Sequence, residues 1–147
     1  MPVNFTLSCP FPPFANIEFL LALALEIIWD MPLSTDRPYV FNRPDIVVRD
    51  KANKKCYIID ISCPNDINVA QKEQEKITKY SGLRIELGRM WDCDCIIIPI
   101  VVGGLGVVSM DFDKYKNMLP AQISSAMCIK IALLGSEKIL RAFLSRK

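Results

Sequence analysis

Two apolar, β-branched segments separated by a short charged segment predict a β-hairpin. The first strand is predicted over residues 45–49 and the return strand over 56–61, with the polar turn 50–54 between them. Pro44 suits the start of a strand, because its missing N–H breaks no ladder hydrogen bond there. Asp60 interrupts the apolar run of the return strand. A carboxylate in such a run is costly to bury unless it is paired or bound to a metal.

An amphipathic pattern predicts a long helix over residues 67–91. At about 100° per residue, one face of this helix is apolar. That face carries Val69, Ile77, Tyr80, Leu83, Leu87 and Trp91. Glu73 and Lys76 fall inside the same stripe, where an ordinary amphipathic helix would have Leu or Ala. They form a partly buried ion pair with each other, three residues apart, or they are directed at the carboxylates of the hairpin.

The remaining apolar segments predict a helix before the hairpin, and a strand and two helices after the long helix. In chain order these are a buried helix over 17–29 with Asn16 as its N-cap and Pro32 as its stop, a central or parallel strand over 95–102, a short helix over 111–119 and a last helix over 121–144, which Gly135 interrupts. Pro99 inside the strand indicates a bulge or an edge-facing position. The glycine loop 103–106 lacks the Lys-Ser/Thr of a P-loop, so a tight turn is favoured.

These elements predict an α/β fold, with α+β as the alternative. The sheet is expected to be small and mixed, with the hairpin and the strand over 95–102 at its centre and helices on both faces. A length of 147 residues, 51% hydrophobic and 23% charged, fits one ordinary soluble globular domain. The apolar run 19–25 is too short to span a bilayer and ends at Glu26, so no membrane partner is expected.

Charge and cysteine content restrict the functional classes. The net charge of +2 is too small to indicate nucleic-acid binding by itself, although the last eleven residues are rich in Lys and Arg. The chain has six cysteines and no histidine. Cys93 and Cys95 do not have the spacing of a zinc knuckle, and no second Cys or His pair accompanies them. Free thiols in a reducing compartment are therefore expected.

The predicted hairpin brings two carboxylates near each other. Antiparallel pairing places the Asp45 end of one strand near the Asp60 end of the other. Two such carboxylates repel each other, and a divalent cation would relieve the repulsion. From the residues alone a structural alternative stays open, in which Asp60 is salt-bridged to a lysine and Asp45 caps a turn after Pro44.

The pattern Arg43-Pro44-Asp45, fourteen further residues and then Asp60 resembles the PD-(D/E)xK arrangement of restriction-like nucleases. More narrowly, the chain resembles the endonuclease domain at the C-terminal end of site-specific non-LTR (LINE-like) retrotransposon polyproteins. Further similar blocks follow the order found in such domains: 28–32 with 35–36, 76–80, 98–106, and 132–135 through 139–141. The resemblance covers about residues 27–147 and implies a restriction-like endonuclease domain there. Residues 1–26 are a divergent segment that it does not match.

The resemblance implies a metal-dependent DNA endonuclease that nicks its target by phosphodiester hydrolysis. Asp45 and Asp60 would be the ligands of Mg²⁺, or of Mn²⁺ in its place. Most restriction-like nucleases carry a catalytic lysine two residues after the second acid, where this chain has Ser62. The domain would act on DNA inside the cell, and in the nucleus if its target is chromosomal.

In the retrotransposon branch, the lysine is similar to one supplied by the following helix in a Lys-x-x-Lys-Tyr pattern. Lys76, Lys79 and Tyr80 match that pattern, and Glu73 would assist as an outer ligand of the metal or its water.

The resemblance leaves an alternative open, because the chain lacks the reverse transcriptase and the Cys/His knuckle of the parent polyprotein. It also lacks a matched acid on the upstream helix, for which Glu18 or Glu26 would be the substitutes. The alternative to an active nuclease is a catalytically inactive relic, or a domesticated domain that binds nucleic-acid or protein partners of a retroelement.

Overall fold

The computed structural model describes residues 24–146, which form an α/β fold with one mixed sheet and three α-helices. The strands are β1 (Leu25–Trp29), β2 (Ile46–Asp50), β3 (Lys55–Ser62) and β4 (Asp94–Val101), and they lie in the order β1-β2-β3-β4. A 3₁₀ turn, Asp66–Asn68, leads into α1 (Val69–Trp91), which is followed after β4 by α2 (Phe112–Met118) and α3 (Ser125–Leu144). The predicted fold class is confirmed.

The hairpin of β2 and β3 forms where the sequence predicts it. Its antiparallel register pairs Ile46 with Ile59 and Asp50 with Lys55. In the turn, the Asp50 carboxylate accepts hydrogen bonds from the backbone N and the side-chain Nδ2 of Asn53, at 3.0 and 2.7 Å. These bonds lower the pKa of Asp50 below its ordinary value. The polar side chains of Asp50 and Asn53 thus fix the conformation of the turn, which explains why polar residues occur at these two positions.

The helix predicted over 17–29 is wrong for the part that the structure describes, because Leu25–Trp29 is a strand. It pairs antiparallel with β2, from Leu25 opposite Asp50 to Trp29 opposite Ile46. A short apolar run does not distinguish a strand from a helix, and the ladder offered by β2 decides in favour of the strand. Asn16, Glu18 and residues 17–23 lie outside the described residues.

Glu26 belongs to β1 and to no helix. Its carboxylate pairs with Lys51 at 3.2 Å and with Arg49 at 3.5 Å. It is therefore held by two cations of β2 and its turn. The boundary predicted between residues 26 and 27 falls inside this strand.

Strands β3 and β4 run parallel, joined by the α1 crossover. The Asp94 amide donates to the Lys54 carbonyl at 2.9 Å, and eight residues later the Val102 amide donates to the Ser62 carbonyl at 3.1 Å. Among the described strands β4 lies at an edge of the sheet, so the prediction that it is central is wrong. Pro99, which has no N–H to donate, is compatible with this edge position.

Residues 24–146 divide into two compact units. The first contains 24–59 and 80–97, and its buried core includes Val47, Ile58, Leu83 and Leu87. The second contains 60–79 and 98–146, and its buried core includes Val69, Ile98, Val101 and Phe112. Helix α1 contributes its predicted apolar face to these cores, residues 69–79 in the second unit and 80–91 in the first. None of the helices described is long and apolar enough to cross a membrane.

The glycine loop after β4 is a tight turn, as predicted. Its four amides donate within the protein: Gly103 to the Val107 carbonyl, Gly104 to the Pro64 carbonyl, Leu105 to the Asp66 carboxylate and Gly106 to the Gly103 carbonyl, at 2.7, 2.9, 3.0 and 2.8 Å. Glycine is required at 103, where a Cβ would lie 2.0 Å from Asp66 Oδ1, and favoured at 106, where φ is +93°. These amides are thus committed to the protein itself and do not form a phosphate cradle.

Candidate functional site

The second unit contains a buried ion pair between β3 and α1. The Lys76 Nζ lies 2.5 Å from Asp60 Oδ2, and the two side chains are 16% and 3% exposed. Position 60 lies in the apolar run of β3 and position 76 in the apolar stripe of α1, so each charge enters a protein interior. Of the two partners considered for Lys76 from the sequence, the hairpin carboxylate is the one that it contacts. An ion pair so far removed from water is costly unless both charges are matched.

Glu73 lies one turn before Lys76 and is also buried, with 3% of the residue exposed. Its Oε2 accepts a short hydrogen bond from Ser109 Oγ, in the segment between the glycine loop and α2. Burial first, and the charge of Glu73 next, raise the pKa of the nearby Tyr115 hydroxyl. The prediction that an acid faces inward at position 73 is correct, but its hydroxyl partner comes from a segment where the sequence carries no signal.

Ser62 lies two residues after Asp60 on β3, and therefore on the same face of the strand. Its Oγ is buried and has no hydrogen-bond partner within residues 24–146. Buried hydroxyls in native proteins are almost always satisfied by protein, water or a bound ligand. Ser62 Oγ is therefore a buried polar atom that a bound group or water could satisfy.

These donors suit a hard divalent cation. Asp60 supplies carboxylate oxygens, and the Ser62 hydroxyl on the same strand face is able to bond a water of the metal shell. Mg²⁺ takes oxygen ligands and commonly keeps several waters, so it does not need a full cage of protein ligands. No group of three or more Asp, Glu or Cys residues that could form such a cage occurs in the described part of the chain.

In the first unit, hydrogen bonds fix the segment that carries Asp45. The Tyr80 hydroxyl donates to the Arg43 carbonyl at 3.5 Å, and the Arg43 guanidinium binds both carboxylate oxygens of Asp30 at 2.9 and 3.0 Å. The Asp30 amide in turn donates to the Asp45 carbonyl at 2.8 Å. Tyr80 is 1% exposed, which points to an anchoring role for its hydroxyl.

Asp45 belongs to the first unit and Asp60 to the second. Asp45 directly precedes Ile46, and Asp60 directly follows Ile59, the residue paired with Ile46. Asp45 is half-buried. Lys79, three residues after Lys76 on α1, is also half-buried. Their functional roles stay predictions from the sequence.

The cysteines described are free thiols, as the sequence predicts: Cys56, Cys63, Cys93, Cys95 and Cys128. A hydrogen bond with Cys95, followed by burial, raises the pKa of Cys56 well above that of an ordinary thiol. A thiol held in its protonated form is a poor nucleophile and a poor metal ligand. Cys56 and Cys95, in the core of the first unit, are therefore packing residues.

Comparisons with known proteins leave the family of this chain open. No protein-family model matches it, and no curated protein matches it. Three features of the second unit stand out: an Asp–Lys pair held away from water, an unsatisfied hydroxyl on the same strand face, and a buried glutamate that accepts a hydrogen bond from a serine.

Proposed function

We propose that this chain is a metal-dependent endonuclease that hydrolyses phosphodiester bonds in DNA, with Mg²⁺ or Mn²⁺ as its cofactor. The observation that carries the proposal is the Asp60–Lys76 pair, in which an acid and a base are buried 2.5 Å apart in the second unit. Placing a carboxylate and an ammonium away from water is expensive, so the pair needs a reason, and the catalysis proposed here supplies one. The restriction-like arrangement of the sequence gives the reaction class, and chromosomal DNA as the target would place it in the nucleus.

The proposal gives each residue a role. Asp60 would hold the metal, and Asp45, from the sequence pattern, would be its second carboxylate ligand. A bound Mg²⁺ supplies Lewis-acid polarisation of the phosphate and a more acidic water. Lys76 orients the attacking water and offsets the negative charge that develops on the phosphate. Lys79 would add positive charge for the DNA backbone.

Two further residues keep these groups in place. Glu73, fixed by the Ser109 hydroxyl, accepts a hydrogen bond from water near Lys76 and so restricts its orientation. Tyr80 holds the backbone of Arg43, two residues before Asp45. This role differs from the direct catalytic role expected for Tyr80, since its hydroxyl is buried against a carbonyl.

A second function is favoured by a different aspect of the same pair. Lys76 already neutralises Asp60 at close range, as a purely structural ion pair would. In that case the chain is an inactive relic or a domesticated domain that binds nucleic acid or protein. The two functions differ in whether the pair is needed for strand cleavage.

The test is nicking of supercoiled plasmid DNA by the wild type, Asp60→Asn and Lys76→Met, with Mg²⁺ or with chelator. Matched controls are Asp113→Asn and Lys72→Met, because Asp113 and Lys72 belong to ion pairs with exposed members in the same unit. We expect wild-type and control nicking only with metal, and a loss of about a hundredfold or more in the two site variants. Equal background in all five proteins would reject the endonuclease and favour the interaction domain.

A further inference from the structure

Helix α3 has an apolar surface that the rest of the described chain does not cover. It is a complete helix, opened by a Ser124 side chain that accepts from the Met127 amide at 3.3 Å, yet none of its residues is buried. Eight large apolar side chains are between 42% and 73% exposed: Met127, Ile131, Leu133, Leu134, Ile139, Leu140, Phe143 and Leu144. A helix of this composition normally buries one side against a partner.

Apolar and charged residues are segregated in the second half of α3. At about 100° per residue, four apolar side chains lie within a sector of about 140°. They are Ile139, Leu140, Phe143 and Leu144, and we call them the α3 face. The charged residues Glu137, Lys138 and Arg141 lie outside this sector, Glu137 at its border, and Glu137 and Arg141 form an ion pair. The α3 face therefore carries no charge.

The α3 face continues a stripe that already packs on protein. Ile129, Ser136 and Phe143 are seven residues apart and lie on nearly the same side of the helix. Ser136 Oγ donates to the Gly104 carbonyl at 2.6 Å, and a Cβ on Gly106 would lie 2.9 Å from Ile129 Cγ2. The glycine loop thus covers the first part of the stripe, whereas Phe143 at its far end is 73% exposed.

The exposed area is sufficient for a protein interface. At these exposures the four side chains of the α3 face present roughly 500 Å² of apolar surface, so two such faces would bury about 1,000 Å² in total, the lower limit of a specific interface. As one patch, this area is at the upper end of what monomers expose.

We propose that the α3 face binds the α3 face of a second copy of this chain, with the two helices antiparallel about a two-fold axis. A face without charge offers nothing to a partner that binds by opposite charge, and it buries no unpaired charge when it meets itself. A two-fold interface needs only one self-complementary patch, and this helix provides it. The inference is independent of the proposed nuclease function.

The test compares Phe143→Glu with Ala142→Glu in the 147-residue chain. The two changes place a carboxylate at adjacent positions of the same exposed helix, but Ala142 lies outside the α3 face. Sedimentation equilibrium over a micromolar concentration range should give dimers for the wild type and Ala142→Glu, and at least a tenfold weaker association for Phe143→Glu. Far-UV circular dichroism checks that each variant is folded, and Leu140→Glu replaces Phe143→Glu if that variant is not.

Two results would overturn the proposal. One is a wild type that stays monomeric at the highest concentration, and the other is a dimer that Phe143→Glu and Leu140→Glu leave intact. Flotation with vesicles of mixed phosphatidylserine and phosphatidylcholine is run in parallel. Vesicle binding by a monomeric wild type, abolished by Phe143→Glu, would identify lipid as the occupant and reject the dimer.

Discussion

At the scale of single residues, charge inside an apolar pattern is the informative signal. Asp60 in a β-branched run and Lys76 in a helical stripe are both visible in the sequence, and the structure pairs them. Their hydroxyl neighbours are not visible in this way. Ser109 meets Glu73 across 36 positions, and the unsatisfied Oγ of Ser62 depends on how its surroundings pack. Periodicity predicts which way a side chain points, but it contains no information on which distant segment meets it.

The buried pair makes the stability of the protein depend on metal when Lys76 is removed. Lys76→Met removes the cation that lies 2.5 Å from the buried Asp60 carboxylate, which should cost about 3 kcal/mol of unfolding free energy in chelator. Excess Mg²⁺ should restore much of that loss, because the cation neutralises the same carboxylate and binds only the folded state. Urea unfolding in chelator and in Mg²⁺ measures both effects. Lys72→Met, on an exposed pair of the same helix, should change the unfolding free energy by less than about 1 kcal/mol.

A Lys76→Met protein as stable as the wild type in chelator, with no gain from Mg²⁺, would contradict this view. Lys76 would then be a residue of no energetic consequence, and the site on α1 would be assigned wrongly.

At the scale of elements, long periodic segments are predicted well and short apolar ones are not. The hairpin, α1 and α3 lie within a few residues of their predicted ranges. β1 was predicted as helix because an apolar run fits either element, and only its pairing with β2 selects the strand. The break expected at Gly135 is absent, and α3 continues through it. A single glycine weakens a helix by an amount that the neighbouring turns readily offset.

Two glycine substitutions should therefore have opposite effects on stability. Gly135→Ala meets no atom within 4 Å and should raise the unfolding free energy by about 0.5–1 kcal/mol, because alanine loses less backbone entropy in a helix. Gly103→Ala places a Cβ 2.0 Å from Asp66 Oδ1 and 3.0 Å from its Cα, so it should cost about 1–3 kcal/mol. Thermal and urea unfolding of the two variants beside the wild type measures the difference. A stabilising Gly103→Ala would show that the loop does not need its close approach to Asp66.

At the scale of the whole chain, the sequence predicts the fold class but not the position of each strand in the sheet. β4 is a near-continuous β-branched run, which is typical of a strand covered on both faces. Coverage of the faces says nothing about the strand's two edges, and β4 has only β3 beside it among the described strands. Pro99 is the one residue that marks this position, since proline leaves a gap in the ladder of a central strand.

The Asp60–Lys76 pair affects the stability of the whole fold. One set of variants therefore separates its contribution to stability from its contribution to function. Each single change, Asp60→Asn or Lys76→Met, removes one charge of the pair and leaves the other without its closest partner, and each should lower the unfolding free energy by about 3 kcal/mol. The double variant removes both charges and should lie within about 1 kcal/mol of the wild type, because no unmatched charge remains and the desolvation of the pair is relieved. Urea unfolding of the four proteins in chelator gives the coupling free energy between the two residues.

Plasmid nicking by the same four proteins tests whether the Asp60–Lys76 pair is needed for DNA cleavage. If it serves catalysis, the double variant is as stable as the wild type and yet as inactive as the single variants. Losses of unfolding free energy that simply add in the double variant would mean that the two side chains are not coupled. The observed contact of 2.5 Å would then contribute nothing to the fold.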